Sequence, residues 1–378
     1  MKQILFSFSG ACCICFGSLF FPKFAYVGLP VEKVAVSVPD STEIKIVFAG
    51  DIMGHEPQFL AALQSDKTYE YRDNYRFVKE YITAADLAVA NLEVTLAGPP
   101  YSGYPMFSSP DAVAIAVKDA GFDVLQTSNN HTCDKGGKGV KRTLNVLDSL
   151  GIEHMGSYRS VEESNTDHPL VKDVNGIKIA LLNYTYGTNG MHIPTGTVVN
   201  LIDTTVIAND LAEAKQLGVD FIIATYHWGI EYQRNESIDQ QKIAEFSAKH
   251  GADLIIGGHP HVVQPIKKIK GERDSIYVVY SLGNYISNQR DRYKNGGIMT
   301  EITLVKTTDK TFLKNITYVP VWVYKKSTPK VSYTLIPGYM DSTIANDTLI
   351  KMSSADKALM NQFFQDTRKH LNNLSEAR

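Results

Sequence analysis

The 378-residue sequence predicts an α/β fold, a layered sandwich of sheets and helices. Three observations carry this expectation. Short apolar runs at residues 44–49, 87–90, 124–127, 177–182, 221–225, 254–256 and 276–280 alternate with helical stretches at 73–84, 110–120, 139–150, 207–217 and 240–250. Strands that alternate with helices of this length form sheets covered by helices. Helix punctuation agrees: Pro110-Asp111 opens one stretch, Gly121 stands where that stretch should stop, and Gly151 where another should. Finally, five of the runs lead into histidine, carboxylate or amide residues, and open α/β sheets bind ligands at the carboxyl ends of their strands.

Taken in order, the chain opens on an apolar run at residues 4–21, preceded by Lys2 and followed by Pro22-Lys23. A charged start before an apolar run has the form of a secretory signal. At about 18 residues the run also suffices for an uncleaved membrane anchor. Ser9-Gly10-Ala11-Cys12 offers a lipoprotein cleavage site, although the run stays apolar beyond Cys12. Residues 1–25 therefore read as a signal peptide or N-terminal anchor and 26–41 as a linker. The remainder lies outside the cytoplasm, membrane-anchored or secreted. Residues 42–306 form the α/β domain. Residues 298–305 and 316–324 then alternate apolar and polar side chains, as half-buried antiparallel strands do. Residues 353–374 read as an amphipathic helix, so 307–378 adds strands and then a helix packed on the domain.

A formal charge of −2, with both signs mixed along the chain, leaves no basic stripe and excludes nucleic acid as a partner. Cys12, Cys13 and Cys15 fall inside the N-terminal run. Cys133 is left alone in the body, so no disulfide scaffold holds the fold.

The chemistry concentrates at the strand ends. Gly258-His259-Pro260-His261 places two imidazoles two residues apart on an extended loop, where both can reach a metal or a metal pair. Asp51 follows a strand and a glycine, so its carboxylate can enter the site; its ordinary alternative is to cap a helix at Glu56-Pro57-Gln58. Glu93 ends a second strand, and its two oxygens can bridge two cations. Asn130 offers an amide oxygen to a hard cation, His131 can act on the substrate, and His227 supplies one more imidazole. Asn284, in Ser281-Leu282-Gly283-Asn284-Tyr285, lines the same pocket. Five endings with oxygen and imidazole donors point to one convergent site for one or two divalent metal ions, with Mn, Fe or Zn as candidates.

Six segments carry a resemblance. Gly50-Asp51-Ile52-Met53, Asn91-Leu92-Glu93, Asn129-Asn130-His131, His227-Trp228-Gly229-Ile230-Glu231-Tyr232, Gly258 to Gln264 and Ser281 to Asn284 occur in the order seen in the bacterial capsule synthesis CapA family. That family includes the PgsA-type proteins of poly-γ-glutamate production and looks like a branch of the calcineurin-like metallophosphoesterases. The resemblance implies a layered α/β sandwich around a two-metal site. Asp51 would be the first metal ligand, Glu93 the bridging carboxylate and Asn130 the amide ligand. His131 would protonate the leaving oxygen, His227 would be the next imidazole ligand, and His259 and His261 the paired ligands. The chain departs from the phosphoesterase pattern at Met53, where a histidine is expected; His55 stands two residues further on. Asp134 and Glu231 would orient imidazoles by accepting their second N–H.

Two functions follow from these readings. One is a metal-dependent hydrolase of phosphoesterase type that acts on a surface polymer or its precursor, at a phosphoester or an amide. The other is a non-catalytic, membrane-anchored accessory subunit working with membrane synthesis or export subunits, which Met53 favours. A third reading has the tyrosine-rich segments 69–75 and 101–104 bind polymer, although loops over the pocket mouth are their simpler role.

Overall fold

The computed structural model describes residues 41–344, 350–372 and 374–377. The expected signal or anchor and all of the linker except Ser41 lie outside the described residues. Two sheets stack face to face. The eight-stranded first sheet runs β16 (Ser332–Pro337), β15 (Thr311–Lys326), β14 (Gly296–Thr307), β1 (Ser41–Ile52), β2 (Leu87–Leu92), β3 (Val124–Gln126), β4 (Glu153–Met155), with β13 (Asn284–Ile286) paired beside β1. The six-stranded second sheet runs β11 (Ile266–Lys270), β12 (Ser275–Val279), β10 (Leu254–Gly258), β9 (Phe221–His227), β7 (Ile177–Thr185), β6 (Leu170–Val174). Among the described residues a short ribbon of β5 (Ser157–Tyr158) and β8 (Val198–Val199) completes the strands. The parallel series are β1 to β4 in the first sheet and β7, β9, β10 and β12 in the second.

Strand periodicity sorts the side chains into layers. Ile44, Ile46 and Phe48 on β1 face the space between the sheets, where they meet Val89, Ile179, Ile223 and Ile256. Val47 and Ala49, one residue out of phase, face outward beneath Phe59, Val113 and Val117 of the helices Glu56–Ala62 and Ala112–Asp119. On the outer face of the second sheet, Ala180, Leu182 and Ala224 pack under the helices Thr204–Gln216 and Ile238–Lys249. The result is a layered α/β sandwich, helix to sheet to sheet to helix. Burial on both faces explains why the central strands read as continuous apolar runs.

Two expectations need correction. Residues 73–84 do not form one helix but a single 3₁₀ turn, Arg72–Asn74, and a short helix, Lys79–Thr83. Asp73, Asn74 and Tyr75 are weak helix formers, and Tyr75 is buried against Tyr285 with ring centroids 6.2 Å apart. Residues 298–305 and 316–324 are antiparallel strands, but not half-buried ones. Ile298, Ile302 and Ile316 enter the space between the sheets, while Val319 and Val321 join the outer core. The helix Ser354–His370 covers Trp322 and Tyr324, and the buried Thr300 and Thr303 supply the apparent polar phase. That helix starts where expected, with Ser353 and Asp356 forming its capping box, and stops at His370, four residues before Leu374. Among the described residues no helix is long and apolar enough to cross a membrane.

The central strands of both sheets end together at one edge of the sandwich. β1 reaches it through an irregularity: Ala49 pairs with Ala90 but Asp51 with Asn91, so Gly50 is left over. A Cβ on Gly50 would stand 2.0 Å from the Gly283 carbonyl oxygen. Gly50→Ala is therefore expected to cost about 3 kcal/mol of stability through overpacking. Urea denaturation measures it, and a midpoint unchanged from the parent would contradict this account of the bulge.

Candidate metal centre

Five strand ends deliver buried polar side chains to a common point. Asp51 is on β1, Glu93 follows β2, His227 closes β9, and His259 and His261 follow β10. Asn130 and His131 lie on the loop after β3. Asp51, Glu93, Asn130, His131, His227, His259 and His261 are all buried. The sheets nearly touch here, since a Cβ on Gly258 would stand 2.9 Å from Asp51 Oδ1. His259 and His261 both take left-handed backbone conformations, with φ of 95° and 57°. Non-glycine residues adopt these only where surrounding structure holds them, and they cluster at functional sites.

The donors fall into overlapping sets whose ligand atoms lie within 4.8 Å of one another: Glu93, His227 and His259 in one, and Asp51, Glu93 and His261 in another. Glu93 belongs to both. Its Oε1 lies 3.5 Å from His227 Nε2 and 3.8 Å from His261 Nε2, yet has no hydrogen-bond partner. His259 Nδ1 is buried and likewise unpartnered, and the buried His261 Nδ1 lies 3.3 Å from Asp51 Oδ2. Asn130 Oδ1 adds an oxygen to the first set, 2.9 Å from His227 Nε2. Buried polar atoms are rarely left unsatisfied, and imidazole with carboxylate and amide oxygen suits a transition-metal dication. The residues present fit a pair of cations sharing Glu93.

Electrostatics agree with that fit. Burial, then the charge of Asp51, pushes the Glu93 carboxyl up to about 8. Burial alone would raise Asp51 too, but the neighbouring His261 outweighs it and holds its carboxyl down at about 2. Burial keeps His227 neutral, with its pKa down at about 3, and burial with His227 and His261 alongside takes His259 down to about 2. His261 runs the other way: burial opposes its charge, but Glu93 and Asp51 raise it to about 9. Without a cation, two carboxylates recruit a proton and an imidazolium; with one, those protons would be displaced.

The other residues singled out from sequence take distinct places. Asp134 Oδ2 lies 2.8 Å from His131 Nδ1 and also accepts from the Phe107 N–H, which fixes the imidazole. Glu231 is exposed and falls within 4.8 Å of the donor atoms of His259 and His261, so it stands at the rim as a third carboxylate. Asn284 pairs in register with Asp51 and donates to Gln289 Oε1 and to the Lys294 carbonyl, so it fastens the loop 287–295. His55 belongs to neither donor set. Its Nδ1 lies 3.2 Å from Gln58 Oε1, and it caps the helix Glu56–Ala62. Met53 is buried in the apolar cluster outside the first sheet and contributes no ligand. Tyr71 and Tyr75 are buried and Tyr69 packs edge-on against Tyr101, so those tyrosine segments serve packing; Tyr104 alone among them is strongly exposed, at 75 %.

Sequence reading missed two asparagines. Asn91 Nδ2 lies 2.8 Å from Asp51 Oδ1, 3.4 Å from Glu93 Oε2 and 3.3 Å from His227 Nδ1, so one amide positions three donors. Asn129 donates to Asn91 Oδ1 and to the Leu92 carbonyl and accepts from the His131 N–H. Their adjacency to Glu93 and Asn130 was the available signal. The Cys133 thiol packs with Val140, Leu144 and Val199, and burial pushes it up to about 11, which suits no nucleophile.

Residues 45–289 match the family described as bacterial capsule synthesis protein PGA_cap. The capsule biosynthesis protein CapA of Bacillus anthracis is 27% identical over 272 residues, 68% of this chain and 63% of that protein. The PGA biosynthesis protein CapA of Bacillus subtilis is 33% identical over 175 residues, 46% of this chain and 44% of that one. The chain therefore spans less than two thirds of either relative. Among solved structures, an NAD nucleotidase from Haemophilus influenzae superposes with a TM-score of 0.50 at 12% identity, over 87% of this chain and 61% of that one. A calcineurin-like phosphoesterase from Bacillus subtilis gives 0.43 at 14% identity, over 88% and 99%. At such identity the likeness concerns the fold alone.

Two outcomes follow for the metal centre. Asn91→Ala is expected to weaken metal affinity about 10- to 100-fold while every direct donor remains; an unchanged affinity by calorimetry would remove Asn91 from the site. Metal must displace protons from Glu93 and His261, whose pKa values stand raised at about 8 and about 9. Both groups hold protons below those values, so affinity should climb as pH rises from about 6 to about 9, with proton release at neutral pH. Calorimetry in buffers of different ionisation enthalpy reads this directly, and a pH-independent affinity would contradict it.

Proposed function

Because the chain belongs to the bacterial capsule synthesis protein family, we propose that it serves surface-polymer biosynthesis as a metal-dependent hydrolase of phosphoesterase type. The observation that carries this reading is Glu93, a buried carboxylate common to two donor sets with an oxygen left unpaired. Asp51 and His261 would hold one cation and Asn130, His227 and His259 the other, with Glu93 between them. Divalent cations so placed would supply an activated water and polarise the bond to be cleaved. His131 is the proton donor: Asp134 engages its Nδ1, which leaves Nε2 to give a proton to the departing atom.

The substrate is the phosphoester or amide linkage of a surface polymer or its precursor. Poly-γ-glutamate comes into consideration because the Bacillus subtilis relative is described as a PGA biosynthesis protein. Such work places the chain outside the cytoplasm, held by its N-terminal segment and assembled with membrane synthesis or export subunits. One observation favours a second reading, a non-catalytic accessory subunit: Met53 is buried among apolar side chains where a further ligand would strengthen the site.

Metal content and turnover of the purified chain, measured on phosphoesters and γ-glutamyl amides, decide between them. His131→Ala should retain its metal and lose about 10²- to 10⁴-fold in kcat, the usual worth of general acid catalysis. A metal-loaded parent that turns over neither substrate class would leave the accessory role in its place.

A further inference from the structure

Beside the metal centre lies a trough of 440 Å³ that the chemistry above does not use. Tyr186, Ile202, Trp228, Ile230 and Ile243 line it, and Gly229 lies between two of them in sequence. Its size falls within the range of small-molecule sites, about 300–1,000 Å³. Tyr186 joins the two places, because its ring packs on that of His259 with centroids 4.6 Å apart while the same side chain lines the trough. Trp228 follows His227 directly in sequence, with its side chain in the cluster on the outer face of the second sheet.

The polar atoms around it are mostly committed elsewhere. Trp228 Nε1 donates to the Tyr280 carbonyl at 2.9 Å. Gln240 Nε2 donates to Gln264 Oε1 at 2.8 Å, and Gln240 Oε1 accepts from the Ser237 N–H at 2.9 Å. At the rim, Lys242 Nζ and Asp239 Oδ1 lie 3.6 Å apart. What the trough offers a guest is hydrocarbon: Ile230 is 58 % exposed and Tyr186 47 %. Exposed apolar side chains around a concavity mark a binding site, and a polyanionic chain would find few free donors there.

We propose that the trough receives the hydrocarbon chain of an amphipathic phosphate whose head group sits at the metal centre, so that the substrate is a lipid-linked phosphoester. This rests on the proposed hydrolase reading and names its substrate class. A chain seated between Ile230 and Ile243 would leave water for an apolar wall, and its anionic head would pass Tyr186 to reach His259 and Glu93.

Alkylphosphonates test this, because their carbon–phosphorus bond resists hydrolysis. Ethyl-, butyl-, hexyl- and octylphosphonate are titrated calorimetrically into the manganese-loaded full chain. Each added methylene is expected to tighten binding about three- to fourfold until the trough is full. The octyl compound should also shift the emission of Trp228. Ile230→Asp should flatten the series and Ile230→Leu preserve it, with metal content and circular dichroism showing that both variants fold. Equal affinities along the series in the parent, or a slope that survives Ile230→Asp, would overturn the proposal. The two readings fail separately. Normal turnover of methyl p-nitrophenyl phosphate with a flat series removes the trough alone. A steep series in a chain with no turnover supports the trough and removes the hydrolase.

Discussion

Asp51 and Glu93 are buried side by side, and a carboxylate taken out of water must be neutralised by a proton, an opposite charge or a cation. The surrounding residues show the strain of that requirement. Glu93 is driven toward its protonated form, His261 toward its charged one, and Glu93 Oε1 faces two imidazoles without a hydrogen bond. A pair of cations would resolve all three at once, because they would replace both the proton and the imidazolium with charge that the oxygens can coordinate. The Asn91 amide, against Asp51, Glu93 and His227, helps to hold this arrangement against its electrostatic cost.

The sandwich supplies the holding. β1 and β2 belong to one sheet and β9 and β10 to the other, so the donors come from two rigid layers packed on one apolar interior. The bulge at Gly50 turns Asp51 toward that junction, and the Asn91 amide ties donors of both sheets together. His259 and His261 sit in left-handed conformations that cost of order 1–3 kcal/mol each. Such strain persists because the strand before the loop is fixed, and it aims both imidazoles inward.

Much of this was legible in the sequence where chemistry and periodicity coincide. Continuous apolar runs marked the buried parallel strands, and the residues just beyond them converge in one buried cluster, because a strand's end is fixed relative to its neighbours. Asn91 escaped because its role is relational: nothing in its type separates a positioning amide from a strand asparagine. His55 stands two residues beyond the position where a histidine is expected, but it joins none of the donor sets, and its Nδ1 lies against Gln58 Oε1. Residues 73–84 failed as a helix because burial of Tyr75 overrode the local pattern. The trough could not be read at all, since Tyr186, Ile202, Trp228 and Ile243 come together only when the helices close over the second sheet.

The claim on which all of this turns is that one carboxylate joins two cation positions, and electron paramagnetic resonance of the manganese-loaded chain tests it most directly. Two manganese ions bridged by Glu93 would lie about 3.5–4 Å apart, and the account predicts the exchange-coupled spectrum of such a pair, collapsing to that of isolated ions in Glu93→Gln. An isolated-ion spectrum in the parent at full loading, unchanged by the substitution, would contradict it.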